Sequence, residues 1–351
     1  MKILAIDGNS ILNRAFYGIR ALSTKDGRFT NGIYGFLTIL MKLRDEVKPD
    51  GVAIAFDLKA PTFRHKMYDG YKANRHGMPP ELAQQLPVLK ELLVALGYKI
   101  ISLEGYEADD ILGTVAGMCN DGDFCFIATG DRDSFQLIRD NVTVLLPHTK
   151  MGTTTTETYT PARIKEEYGV TPIQMIDIKA LQGDASDCIP GVAGVGQKTA
   201  GDLIQKFGTI QNIYDNIDAL EIKENLKNKL LNDKEKAFLS YILGTIINNV
   251  PIECALKDLI PQNADESKAR EMLADLEMFK IIEKLNFTAP TAVEKKEEKT
   301  KELDFVTDFD TNELLNKIKA EKKVYFTADY KDLDNPSFCF LCDNTVYHQI
   351  G

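Results

Sequence analysis

No apolar run in this sequence approaches the ~20 residues that a helical membrane span requires, which excludes an integral helical membrane protein. The opening residues, Met1-Lys2-Ile3-Leu4-Ala5-Ile6-Asp7, reach a carboxylate too soon for a signal-peptide core. Cysteine is sparse as well. Six are scattered at positions 119, 125, 188, 254, 339 and 342, and they read as reduced thiols rather than a disulfide framework. Cys339 and Cys342 form a C-x-x-C, but no second ligand pair follows, which argues against structural zinc. The expectation is a cytoplasmic chain.

Positive charge is not in excess either. The formal net charge is −10, which at first sight disfavours a polyanion partner. Its distribution weakens that objection. Residues 1–150 carry 18 Lys+Arg and 18 Asp+Glu, and without the seven acids singled out below the block would stand at +7. An acidic protein with no polyanion partner has the same overall composition, so charge alone decides nothing.

What is present is a globular composition, 44% hydrophobic and 27% charged, in 351 residues, enough for two or three domains. Ile3–Ile6, Val52–Phe56 and Phe124–Ala128 read as buried strands, with Tyr98–Leu103 as a fourth. Between them lie the amphipathic stretches Gly32–Glu46, Pro80–Leu96 and Asp110–Met118. This alternation predicts an α/β domain over 1–160, its mostly parallel sheet covered by helices. Strand signals then stop. Thr160-Pro161 and Thr171-Pro172 read as helix starts, and Asp218–Leu231 and Lys234–Ile247 as helices of an all-helical lobe over 161–288. Residues 289–303 read as a charged linker, and 304–351, with one helix at Asn312–Ala320, as a truncated α/β piece.

Three predicted strands run into aspartate: Asp7, Asp57 and Asp131. In an open parallel sheet the carboxyl edge is where sites are built, so the three acids point to one crevice. Asp133 follows at i+2, and Glu107, Asp109 and Asp110 stand at a predicted helix start. Any one of these acids could serve as a helix cap. Together they repel. Two carboxylates ~4 Å apart cost about 4 kcal/mol at an effective dielectric near 20, so seven without matching bases call for cations. Oxygen ligands without histidine or cysteine suit magnesium or manganese, and their number suits a pair of ions. Asp184 and Asp187, three apart in the helical lobe, could close the site or merely cap a turn.

Gly191-Val-Ala-Gly-Val-Gly-Gln-Lys-Thr-Ala200 follows, with Gly191, Gly194, Gly196, Lys198 and Thr199 in a pattern suited to a helix-hairpin-helix that grips a DNA backbone. A glycine-rich connector would read the same way. The segment from about 59 to 80 interleaves Arg64, Lys66, Lys72 and Arg75 with Phe63, Tyr68 and Tyr71, a mixture suited to single-stranded nucleic acid or to a solvated basic helix.

Asp-Gly-Asn-Ser10, Ala-Phe-Asp57, the Phe63–Arg75 run, Gly-Tyr-Glu-Ala-Asp-Asp110, Thr-Gly-Asp-Arg-Asp133 and the Gly183–Ala200 block, taken in order, resemble the 5′→3′ exonuclease domain of bacterial DNA polymerase I, within the flap endonuclease family. The resemblance covers about residues 1–286. It implies a 5′ nuclease/PIN-like fold with Asp7, Asp57, Glu107, Asp109, Asp110, Asp131, Asp133, Asp184 and Asp187 as metal-binding acids for two Mg²⁺ or Mn²⁺. It places Tyr71, Lys72 and Arg75 in a helical arch that acts in catalysis, with Lys72 neutralising the scissile phosphate. It further implies potassium at the hairpin, DNA with 5′ flaps, nicks or RNA-primed ends as substrate, a monomer, and fusion to a polymerase portion. Residues 304–351 resemble the start of a 3′→5′ exonuclease-type domain, in which Asp329 is followed by Lys331 where a second acid belongs, implying an inactive site. Two other classes stay open: a non-catalytic junction clamp, and a different metal-dependent phosphoryl-transfer enzyme.

Overall fold

The computed structural model describes residues 1–75, 77–150, 153–287, 304–307, 310–321, 325–329, 337–342 and 345–350. The expected linker 289–303 and Lys331 lie outside the described residues. The chain divides into two compact units, Met1–Thr288 and Ala289–Gly351. No helix among the described residues is long and apolar enough to cross a membrane.

The first unit is built on six strands: β1 (Lys2–Asp7), β2 (Gly51–Ala55), β3 (Lys99–Ile101), β4 (Phe124–Ala128), β5 (Val142–Lys150) and β6 (Thr153–Tyr159). Their order is β3-β2-β1-β4-β5-β6, all pairings parallel except the β5–β6 hairpin. After β1 the chain builds outward to β3, then returns to place β4 on the other flank of β1. That reversal opens a crevice at the carboxyl ends of β1 and β4, where Asp7 and Asp131 emerge. The hairpin's first strand carries a buried apolar run, Val142-Thr-Val-Leu-Leu146, that sequence reading passed over. The second strand, Thr153-Thr-Thr-Thr-Glu-Thr-Tyr159, is an edge strand, and sequence reading missed it.

Strand β1 is buried on both faces, which is why it reads as an unbroken apolar run. Leu4 and Ile6 face one core, shared with α1 (Gly8–Gly18) and α2 (Asn31–Val47), while Ile3 and Ala5 face the other. The short helices α3 (Phe63–Met67) and α4 (Pro80–Ala83) precede α5 (Gln85–Ala95), which packs with α1 and α2; α6 (Ala108–Met118) covers the opposite face. The proposed arch is therefore helical over Phe63–Met67 and becomes turns around Gly70, with Lys72 in the left-handed region at φ 56°. Pro80 sits at the N-terminus of α4, and the expected Pro80–Leu96 helix breaks at Gln84.

Beyond β6 come α7 (Pro161–Tyr168), α8 (Met175–Gln182), α9 (Gln197–Phe207), α10 (Ile210–Asp215), α11 (Glu224–Asn232) and α12 (Lys234–Gly244). Val170, Leu181, Val192, Leu203, Ile213 and Leu230 form their shared core. Helix α11 starts six residues later than the apolar pattern suggests, at Glu224 rather than Asp218. Helices α13 (Glu266–Asp275) and α14 (Phe279–Leu285) then return to the sheet, burying Ala269, Leu273, Leu276 and Ile281 in the α1–α2–α5 core.

In the second unit, β7 (Asp304–Val306), β8 (Tyr325–Asp329), β9 (Ser337–Cys342) and β10 (Thr345–Ile350) form a sheet of order β7-β10-β9-β8, and α15 (Thr311–Glu321) contributes Leu314 against Tyr347.

Candidate metal centre and nucleic-acid surface

Asp7 ends β1 and caps α1. Its Oδ1 accepts the Ser10 N–H at 2.9 Å, and its Oδ2 accepts the Thr129 hydroxyl at 3.0 Å. The same hydroxyl oxygen accepts the N–H of Asp131 at 3.0 Å, so one threonine ties the two strand-end acids together. Gly8 is needed here because α1 begins directly over the Phe56 ring: a Cβ on Gly8 would fall 2.4 Å from a ring carbon. Asp57 follows β2 and accepts the Ala108 N–H at 2.8 Å, which fixes the start of α6 against it.

On α6 two adjacent aspartates meet opposite fates. Asp110 is fully buried and holds the Arg64 guanidinium in a two-pronged pair, 2.7 Å from Oδ2 and 2.8 Å from Oδ1. It also accepts the backbone N–H groups of Glu107 and Ile247. Asp109 points into the crevice, and its Oδ1 is buried with no hydrogen-bond partner. A buried carboxylate oxygen left bare is costly unless something positive takes it. Burial, with repulsion from Asp7, Asp131, Asp57 and Asp133, holds the Asp109 carboxyl well above the usual range. Asp7 is pushed up to about 7 by burial, with Asp57 and Asp131 adding to it. Asp57 is exposed by area, yet enough protein surrounds it to strip hydration and raise its pKa.

Asp133, Asp184 and Asp187 bring one carboxylate oxygen each to within 4.8 Å of one another. The loop carrying the last two is closed by reciprocal backbone bonds between Asp184 and Ile189. It is seated by Gly191 at φ 60°, where a Cβ would lie 2.3 Å from the Gly183 nitrogen. Burial raises Asp133 to about 6. Burial also opposes ionisation at Asp184, but hydrogen bonds from Lys179 and Ser186 outweigh it and bring that carboxyl down to about 2.

The expectation that these acids lack matching bases is corrected. Lys179, buried on α8, places its ammonium between Asp133 and Asp184, 2.7 Å from the latter. Lys72 Nζ lies 2.8 Å from Glu107 Oε1 and 3.9 Å from Asp187 Oδ2, and Arg75 pairs with Asp187. Tyr71 is buried and donates its hydroxyl to Glu107 Oε2 at 3.1 Å. Direct contacts and mutual repulsion thus join all nine expected acids, but Asp110 faces inward onto Arg64. Arg64, expected at a DNA surface, is 2% exposed and also donates to the carbonyls of Leu243 and Thr245. Lys66 is exposed.

At the hairpin, Gly194, Gly196 and Lys198 are exposed and Thr199 is half-buried, at the start of α9. Gly191 is buried instead, and its N–H donates to Ser240 Oγ at 2.9 Å. Val192 and Val195 anchor the turn in the helical core.

Two family models match the chain back to back: the 5′-3′ exonuclease N-terminal resolvase-like domain over residues 2–169, and the 5′-3′ exonuclease C-terminal SAM fold over residues 170–267. The chain belongs to the 5′-3′ exonuclease family. DNA polymerase I of Caldicellulosiruptor bescii is 39% identical over 93% of this chain and 39% of its own length, and that of Bacillus subtilis is 42% identical over 81% and 32%. The chain therefore spans roughly a third to two-fifths of the curated relatives it matches. Among solved structures, bacteriophage T5 5′-exonuclease with bound zinc superposes at TM-score 0.58 with 21% identity, covering 78% of this chain and 99% of that one. The catalytic core of Rad2 with DNA superposes at 0.55 with 17% identity, covering 81% and 92%. At such identities the likeness establishes the 5′-3′ exonuclease fold.

Sequence reading of this 5′-3′ exonuclease missed Thr129 and Lys179. The signal for Lys179 was present, a lone lysine within Ile176-Asp-Ile-Lys-Ala-Leu181 on an apolar helix just before Asp184. The residues fit a metal. They offer oxygen donors, a bare buried carboxylate oxygen, and three acids converging within one ion's reach.

Proposed function

We propose that this chain is a structure-specific 5′ nuclease that hydrolyses phosphodiesters at 5′ flaps, nicks and RNA-primed ends of DNA. The observation that carries this reading is the convergence of strand-end acids around the bare Asp109 Oδ1, beside three cationic side chains from the arch segment and α8. Asp7, Asp57, Glu107 and Asp109 would hold one magnesium or manganese ion, and Asp131, Asp133, Asp184 and Asp187 a second. When bound, such a pair polarises the scissile phosphate and supplies an activated water, leaving a 5′-phosphate. Asp110 is outside this set, because Arg64 and two N–H groups occupy its oxygens.

Lys72 is the residue assigned to the scissile phosphate. Its ammonium sits between Glu107 and Asp187, two of the acids assigned to metal, where a cation can offset charge on a phosphodiester. Tyr71 orients Glu107, and Arg75 orients Asp187 while reaching solvent. Gly194, Gly196, Lys198 and Thr199 grip the duplex backbone, and Lys66 meets the strand at the arch. The hairpin is also the assigned place for a potassium ion. The full-length protein carries a polymerase portion beyond this chain, a reading that the longer DNA polymerase I relatives support, and residues 304–351 begin an inactive 3′→5′ exonuclease-type domain.

A labelled 5′-flap duplex incubated with and without magnesium tests the proposal. Magnesium-dependent release of the flap is expected. Tight binding without cleavage would replace it with a junction clamp, and inertness to DNA with hydrolysis of small phosphate esters would replace the substrate class. Lys72→Ala should slow cleavage more than it weakens affinity; loss of affinity alone would refute the role given to Lys72.

A further inference from the structure

Lys72, Arg75 and Lys179 are each paired with a crevice acid, but Lys90 is not. It stands on α5, on the sheet face covered by α1 and α2, and has no carboxylate within ion-pair distance among the described residues. Its ammonium lies over the Phe56 ring, 4.6 Å from the centroid. Phe56 immediately precedes Asp57, and the Asp57 charge reaches Lys90. A surface lysine normally extends its ammonium into water. This one is half-buried, and loss of hydration lowers its pKa, the attraction of Asp57 notwithstanding. The ring beneath it cannot move, since Phe56 is 1% exposed and wedged against Gly8. A half-buried cation seated on a packed aromatic ring, with no carboxylate partner, keeps N–H donors that an incoming phosphate could take over from water.

We propose, resting on the nuclease reading above, that Lys90 over Phe56 is a subsite for a non-scissile backbone phosphate of the DNA strand entering the crevice. Lys90 is a positioning residue in this assignment. It holds the strand from the α5 side, while Lys72 acts at the reacting linkage.

The test uses the full chain as wild type, Lys90→Met and Lys90→Arg, with a 5′-flap duplex bound in calcium and cut in magnesium. Met keeps the aliphatic cover on Phe56, and Arg keeps the charge. The slope of log affinity against log salt should fall by about 0.7–0.9 in Lys90→Met, the loss of one phosphate contact, and recover in Lys90→Arg. KM should rise while kcat stays within about twofold, as for a lost ground-state contact. Single neutral methylphosphonates placed along the strand should weaken wild type, but not Lys90→Met, at one linkage next to the cut. An unchanged salt slope with equal methylphosphonate losses in both proteins would overturn the subsite while leaving the nuclease intact. A wild type that neither binds nor cuts the flap would overturn both.

Discussion

Asp109 and Asp110 are neighbours on the first turn of one helix, and the regions they face could hardly differ more. On the Asp110 side, Arg64, the carbonyls of Leu243 and Thr245, and the N–H groups of Glu107 and Ile247 close every valence in a dry junction that ties the arch base, α6 and the end of α12 together. On the Asp109 side, acids outnumber bases and an oxygen is left bare. The same residue type at consecutive positions is structural where its partners come from the chain, and takes the metal-binding role proposed above where they must come from outside.

Substitution should separate the two sides. The largest effect expected is on the open side. Asp109→Asn should reduce metal-dependent flap cleavage about 10³-fold or more, ~4 kcal/mol of barrier. It should not lower metal-free stability, because it removes a repelling charge. In wild type, magnesium at a hundredfold excess over Kd should stabilise the fold by about 2.7 kcal/mol, and chemical denaturation of Asp109→Asn should show much less. Loss of metal-free stability in Asp109→Asn would erase the contrast with Asp110.

Next comes the closed side. Arg64→Met leaves the Asp110 charge buried and unpaired, which costs about 3–5 kcal/mol in urea melts. Pairing it with Asp110→Leu should recover part of that loss. If the double variant is no better than the single one, the loss does not come from an unpaired Asp110 charge.

The smallest effect calibrates burial away from the crevice. Asp177 is buried on α8, accepts the Ile210 N–H at 2.9 Å, and has its pKa raised by burial. A carboxyl whose pKa is higher folded than unfolded costs stability above both values and returns it as pH falls through the raised one. Asp177→Asn keeps the acceptor without the charge. It should therefore match or exceed wild type at neutral pH by about 1 kcal/mol or less, an advantage that shrinks on acidification into the ordinary carboxylate range. A constant difference across pH would show that Asp177 titrates alike folded and unfolded.

How far the sequence could be read follows the same division. The strands β1, β2 and β4 were legible because burial on both faces writes an unbroken apolar run, and their terminal aspartates follow from that placement. Strand β6 was not, because a threonine-rich edge strand lacks that pattern. Within Glu107-Ala-Asp-Asp110 the sequence gives no way to tell which acid turns inward, since the answer depends on Arg64, 46 residues away. Lys179 left a signal as a lone lysine on an apolar helix, but its role could not be read from that. A buried lysine is intelligible only once Asp133 and Asp184 are seen on either side of it.

The return of α13 and α14 to the sheet sets where this enzyme can be cut for expression. A polypeptide stopped at residue 267, where the second family match ends, would lack Leu273, Leu276 and Ile281 and leave greasy flanks of α2 and α5 open to water. Trimming to the homology boundary would lay an apolar seam bare and invite aggregation, while ending the gene after Phe287 keeps that seam shut.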